Sequence, residues 1–170
     1  MIRKAIFAGG CFWCTEAVFK RLRGVKSVVP GYTGGSNQNP DYQNIGNHAE
    51  AVKIEFDDEK IHFSDLLDVF FGTHDPTTMD RQGADVGEQY RSEIFYTTDS
   101  QKEDSIKKIE ELAPKFKDKI VTKVTQFDEF YEAEDYHKDY YAKNSNAPYC
   151  RLVIDPKVKK LIENYSKLLK

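Results

Sequence analysis

The residues with the clearest capacity for chemistry are sulfur ligands and nucleophiles set among aromatic rings. Gly10-Cys11-Phe12-Trp13-Cys14 follows the apolar run Ala5-Ile6-Phe7-Ala8 and the pair Gly9-Gly10, and it opens a helical pattern. A strand–turn–helix junction puts Cys11 beside the first unpaired N–H groups of the helix, where the backbone field favours negative charge. A thiol there is expected to ionise more readily than a free one, and the thiolate is the nucleophile. Phe12 and Trp13 follow at once as walls for something apolar. A Cys-x-x-Cys at a helix start has three readings: a thioredoxin-like redox pair, half of a zinc site, or one reactive cysteine beside a buried one. The four histidines, His48, His62, His74 and His137, are scattered singly, so a second ligand pair is missing. Bulky Phe12-Trp13 fits a thioredoxin-like pair poorly. Cys14 falls in helical register with Val18 and Leu22, which reads as a small buried apolar residue and leaves a redox role open.

Three further features carry chemistry. Glu50 shares strand parity with Val52, Ile54 and Phe56, so alternation turns its carboxyl toward the apolar face. Burial raises a carboxyl pKa and makes it a proton donor near neutrality; the competing reading is a strand-end carboxylate turned to solvent or paired with a lysine. The stretch from Thr73 to Ser92 is dense in hydrogen-bonding residues, a loop able to line a site or simply to bond to itself. Cys150 lies in the turn-forming Asn144–Cys150 stretch. There it is either free to approach another sulfur, given Cα atoms within about 7 Å, or a solvent-facing bystander.

The elements that must position these groups follow from pattern. Strands are expected at Arg3–Ala8, Val25–Tyr32, Ala49–Phe56, Ile94–Thr97 and Ile120–Phe127. Helices are expected from Trp13 to Leu22 with Gly24 at the C-cap, after Ser64, after the Ser100/Glu103 capping-box pattern, and from Asp155-Pro156 onward. Asp128–Lys143 reads as acidic, tyrosine-rich and partly helical. This order implies an α+β two-layer sandwich, helices packed on a mixed β-sheet with a ferredoxin-like plait core. One domain over residues 1–170 is expected, with a C-terminal tail and helix from about 144.

Composition narrows the function class. Net charge is −3, from 25 Lys+Arg against 28 Asp+Glu, which argues against nucleic acid as partner. The sequence has no apolar run of membrane-spanning length and no signal-peptide pattern, and its odd count of three cysteines suits a reducing compartment. A cytoplasmic monomer is the expectation.

Five motifs occur in order: Gly10-Cys11-Phe12-Trp13, Gly31-Tyr32-Thr33-Gly34-Gly35, His48-Ala49-Glu50, His74-Asp75-Pro76-Thr77, and Arg81-Gln82-Gly83 through Gln89-Tyr90-Arg91-Ser92. Together they resemble the A-type peptide methionine sulfoxide reductases over about residues 5 to 155. The resemblance implies that Cys11 attacks the sulfur of the S epimer of methionine sulfoxide, free or in proteins, and keeps a sulfenic acid. A second thiol then closes a disulfide, which thioredoxin reduces, with no metal or bound organic cofactor. By motif position Glu50 is the acid, Tyr42 and Tyr90 bond the developing oxygen charge, Asp85 supports the polar site, and Phe12 and Trp13 hold the S-methyl group. Cys150 is the first choice for the recycling thiol, Cys14 the alternative, and a relay through both stays open. Cys14, Asp80 and Ala84 depart from residues common in that family, glycine at the first and asparagine at the others.

Overall fold

The computed structural model describes all of residues 1–170. Its centre is a six-stranded sheet. In chain order the elements are β1 (Ile2–Gly9), α1 (Phe12–Phe19), β2 (Val25–Thr33), β3 (Ala49–Asp57), α2 (Phe63–Thr73), the two-residue strands β4 (Arg81–Gln82) and β5 (Asp85–Val86), β6 (Ser92–Tyr96), α3 (Asp99–Leu112), β7 (Lys123–Gln126), β8 (Phe130–Glu132), α4 (Tyr140–Lys143) and α5 (Asp155–Asn164). The strands lie in the order β7-β6-β1-β3-β2-β8, with β4 and β5 paired apart as a small hairpin. Only the β6–β7 pairing is parallel, so the sheet is mixed, as the element order implies.

Side-chain alternation sorts the sheet into two faces. Phe7, Val52, Ile54, Phe56 and Ile94 join Phe12, Val18, Phe19 and the apolar stripe of α2 in the main core. Ile6, Ala8, Ala49, Ala51 and Phe95 form a smaller cluster on the other face, beneath Phe127 and Phe130. α1, α2 and α5 pack on one another, and α1 and α2 on β1. Edge strand β8 sits so close to β2 that a Cβ on Gly31 would lie 2.4 Å from the Tyr131 carbonyl oxygen, so glycine is obligatory there.

Several boundaries differ from expectation for local reasons. Helix α1 stops at Phe19, and Leu22 lies outside it, fully buried and bridged to Leu169. α2 starts at His62, whose N–H donates to the Asp65 carboxylate at 3.0 Å, two residues before Ser64. α3 is capped by Thr98, which accepts from the Gln101 N–H at 3.2 Å, so the Ser100/Glu103 pair lies inside the helix. The Thr73–Ser92 loop contains the β4–β5 hairpin, and the tyrosine-rich stretch becomes β8, a 3₁₀ turn (Asp135–His137) and α4. A π-turn, Cys150–Ile154, leads into α5.

Candidate active site

Cys11 is the N-cap of α1, reached through Gly10 at φ +101°, a backbone setting that favours glycine. Its side chain is 7 % exposed. Glu50, on the adjoining strand β3, is 1 % exposed and shares the helix-side face with Val52 and Ile54. Its Oε1 accepts the Phe12 N–H at 3.1 Å, one of the orphan donors at the start of α1, while Oε2 has no partner. Burial pushes the Glu50 pKa up to about 8, and the Asp85 and Cys14 charges add to this; the Phe12 N–H opposes. At pH 7 this carboxyl is therefore mostly neutral.

The three sulfurs share one buried cluster. Cys14 is 2 % exposed and Cys150 fully enclosed, so Cys150 is no solvent-facing bystander. The neighbouring Cys11 thiol lowers the Cys14 pKa to about 7, against burial, and the Lys157 charge acts the same way; the Tyr149 hydroxyl lies 3.6 Å from its sulfur. Cys11 is the correction to expectation. Burial first, then the neighbouring Cys14 sulfur and the Glu50 charge, hold its pKa well above the ordinary thiol value. The helix start favours an anion, and burial beside Cys14 and Glu50 works against one on Cys11. Cys150 also has a raised pKa, from burial first and the Cys14 charge second.

Tyr42 and Tyr90 close the polar side. Burial raises the Tyr42 pKa to about 12 and raises that of Tyr90, with the Glu50 and Cys11 charges acting on both. Both therefore remain hydroxyl donors at neutral pH. The Arg91 guanidinium pairs with Glu93 at 2.7 Å and binds the Glu88 and Asn47 carbonyls, tying down the turn that carries Tyr90. Asp85, in β5, accepts the Tyr149 hydroxyl at 2.7 Å, so it reaches Cys14 through that ring. Phe12 is fully buried and belongs to the main core as well as to the site floor. The Trp13 indole stacks on Tyr140, with ring centroids 3.7 Å apart and planes within 7°.

Sequence reasoning left out the residues that brace these walls. Glu134, just after β8, accepts the Tyr32 hydroxyl at 2.8 Å and the Tyr42 N–H at 3.0 Å. His137 accepts the Trp13 indole N–H at 3.0 Å. Glu16, buried in α1, accepts the Asp139 N–H with both oxygens, at 2.9 and 3.1 Å, where Asp139 takes a left-handed φ of 56°. Their common signal was the acidic, aromatic 128–143 segment, whose lack of periodicity hid that it folds back over α1. No group of three or more His, Cys, Asp or Glu side chains converges in a metal-binding arrangement.

A cysteine at a helix start, a buried carboxyl with a raised pKa and clustered thiols on an α+β sheet are the equipment of a thiol-based oxidoreductase. Residues 3–169 match the profile of the peptide methionine sulfoxide reductases, and the chain belongs to that family. It is 53 % identical over 165 residues to the peptide methionine sulfoxide reductase MsrA of Sulfolobus acidocaldarius, covering 95 % of this chain and 94 % of that one. Its fold superposes on reduced Mxr1 from Saccharomyces cerevisiae with a TM-score of 0.81 at 32 % identity, covering 88 % and 89 % of the two chains. The same yeast protein in complex with Trx2 matches at a TM-score of 0.59 and 26 % identity, covering 82 % of this chain and 84 % of that one.

Proposed function

We propose that this enzyme reduces the S epimer of methionine sulfoxide, free and within proteins, to methionine, and so repairs oxidative damage. The observation that carries the reading is the Phe12 N–H···Glu50 bond, which fixes a neutral carboxyl beside the nucleophile's own peptide. Sulfoxide oxygen needs a proton to leave. Glu50 supplies it, while Tyr42 and Tyr90 donate to the oxygen and Phe12 and Trp13 hold the methyl group. The Cys11 sulfur, its proton passed to Cys14, attacks the substrate sulfur, and the oxygen ends on Cys11. Methionine leaves reduced by two electrons, and Cys11 is oxidised by two to a sulfenic acid.

Recycling runs through both remaining thiols. Cys14 condenses with the sulfenic acid, releasing water and closing a Cys11–Cys14 disulfide; both cysteines lie in the same buried cluster. Cys150 then attacks Cys14 and frees Cys11, leaving a Cys14–Cys150 disulfide for an external dithiol. That the three cysteines lie in one buried cluster supports exchange among them. The yeast relative's complex with Trx2 supports thioredoxin as that dithiol. Asp85 holds Tyr149 over Cys14. No prosthetic group enters these steps, and the three unpaired cysteines suit a reducing cytoplasm. The order β6-β1-β3-β2, with helices after β1 and β3, supports a ferredoxin-like plait core. Packing of α5 on α1 and α2 supports a single domain over residues 1–170.

The test is stereochemical. With racemic methionine sulfoxide and dithiothreitol, the enzyme should consume the S epimer alone, and Cys11→Ser should abolish turnover. Consumption of the R epimer, or activity surviving C11S, overturns the reading.

A further inference from the structure

His137 takes no part in the steps above, yet it sits where the site's walls meet. Its ring is fully enclosed, with centroids 4.9 Å from Phe12, 4.4 Å from Tyr42, 4.1 Å from Tyr136 and 5.8 Å from Trp13. Nδ1 accepts the indole N–H of Trp13 at 3.0 Å. Indole only donates, so this nitrogen carries the lone pair and the ring's proton sits on Nε2. Burial lowers the His137 pKa, with the Glu134 charge opposing, which keeps the ring neutral and that tautomer in place. Nε2 is buried and has no partner. An unmatched buried donor is costly, so the ring holds an orientation that its own hydrogen bonding does not favour. The compensation is the hydrogen bond from Trp13.

We infer that His137 is a positioning residue for the methyl-binding wall: its Nδ1 sets the rotation of the Trp13 indole beside Cys11. Stacking on Tyr140 fixes the plane of the indole but lets it slide and turn within that plane. A directional bond to its single N–H removes this freedom. The imidazole itself is pinned between Phe12 and Tyr42, so the two aromatic walls and the tyrosine of the polar side share one gauge. The inference rests on the reading of Trp13 as a wall of the substrate site.

Trp13 is the only tryptophan in the chain, so one indole N–H resonance and one emission band report on it alone. Three variants separate geometry from bulk. His137→Leu removes the acceptor. His137→Asn keeps a carbonyl near the Nδ1 position, and His137→Gln carries it one carbon too far. With a methionine-sulfoxide peptide and dithiothreitol, H137L and H137Q should raise KM about tenfold, the low end of what a misfitted methyl group costs, with kcat within about threefold. Their indole N–H signal should move upfield and exchange faster. H137N should recover most of both changes while matching H137Q in thermal stability. An unmoved indole signal in H137L overturns the proposal, as does a moved signal with KM within twofold of wild type. H137N indistinguishable from H137L overturns it too. Failure of the pocket reading shows separately, as an unchanged KM in Trp13→Ala, and takes the proposal with it.

Discussion

Replacing Glu50 with glutamine separates catalysis from stability in opposite directions. Glutamine keeps the shape and still accepts the Phe12 N–H, but it has no proton to give. General acid catalysis contributes about 10²–10⁴-fold, and E50Q should lose that much kcat. The stability effect follows from linkage. The Glu50 pKa rises from an ordinary 4.5 to about 8 in the folded enzyme, mainly through burial. A raised folded pKa gives a contribution that is complete below pH 4.5 and is lost as the pH climbs through 8. At about 1.4 kcal/mol per pH unit, the wild type forfeits about 5 kcal/mol over that window. E50Q has no such loss; its fixed difference from a neutral glutamic acid is pH-independent. For a chain of this size about 1 kcal/mol corresponds to about 2–4 °C in Tm. Scanning calorimetry from pH 5 to pH 9 should therefore show the E50Q Tm gaining on wild type by about 10 °C or more. Wild-type kcat should fall tenfold per pH unit above 8, and E50Q should show no such limb. A parallel pair of Tm curves, or E50Q turning over within threefold of wild type, refutes a buried neutral acid.

Other perturbations test the remaining contacts. In a single turnover without reductant, Cys150→Ser should accumulate a Cys11–Cys14 disulfide and wild type a Cys14–Cys150 disulfide, read by peptide mapping after alkylation; a direct Cys11–Cys150 link rules out the relay. Because the neighbouring Cys11 thiol is the main cause of its low pKa near 7, Cys14 in Cys11→Ala should titrate at least one pH unit higher, measured by thiolate absorbance in a C150S background. Glu134→Ala strips the acceptor from both Tyr32 and the Tyr42 backbone, so kcat should drop about tenfold, and Glu134→Gln should restore part of it. Glu16→Ala leaves the Asp139 N–H unmatched and should cost about 1–3 kcal/mol in urea unfolding. Lys20→Ala, which removes only the solvent-exposed pair with Asp139, should cost under about 1 kcal/mol.

The parts of the fold that were legible from residues alone are those with a strict period. Alternation from Glu50 to Phe56 placed a carboxyl on the apolar face, because a strand offers each side chain only two directions. Helical register put Cys14 in the interior for the same reason. The caps were less readable: Thr98 and Ser100 are both competent, and tertiary fit of α3 on β6 and β7 chose the earlier one. The 128–143 segment was opaque. Its order comes from contacts far along the chain, Glu134 with Tyr32 and Tyr42, His137 with Trp13, and Asp139 with Glu16, and a local window contains none of them. The ionisation of Cys11 was not legible because a helix terminus is a local feature and burial is not. The helix start favours the thiolate, and enclosure, which raises the Cys11 pKa, opposes it.

That enclosure also governs which oxidants the enzyme meets. Dissolved peroxide attacks thiolates that solvent can reach, and each further oxygen carries sulfur past the sulfenic state to forms that thiols cannot reverse. Cys11 is nearly sealed and keeps its proton at rest, so bulk peroxide finds little to react with. On the proposed mechanism its sulfur gains an oxygen from a sulfoxide brought into the pocket, with Cys14 beside it in the same buried cluster. A repair enzyme working amid the oxidants that cause the damage is thus spared by the packing of one side chain.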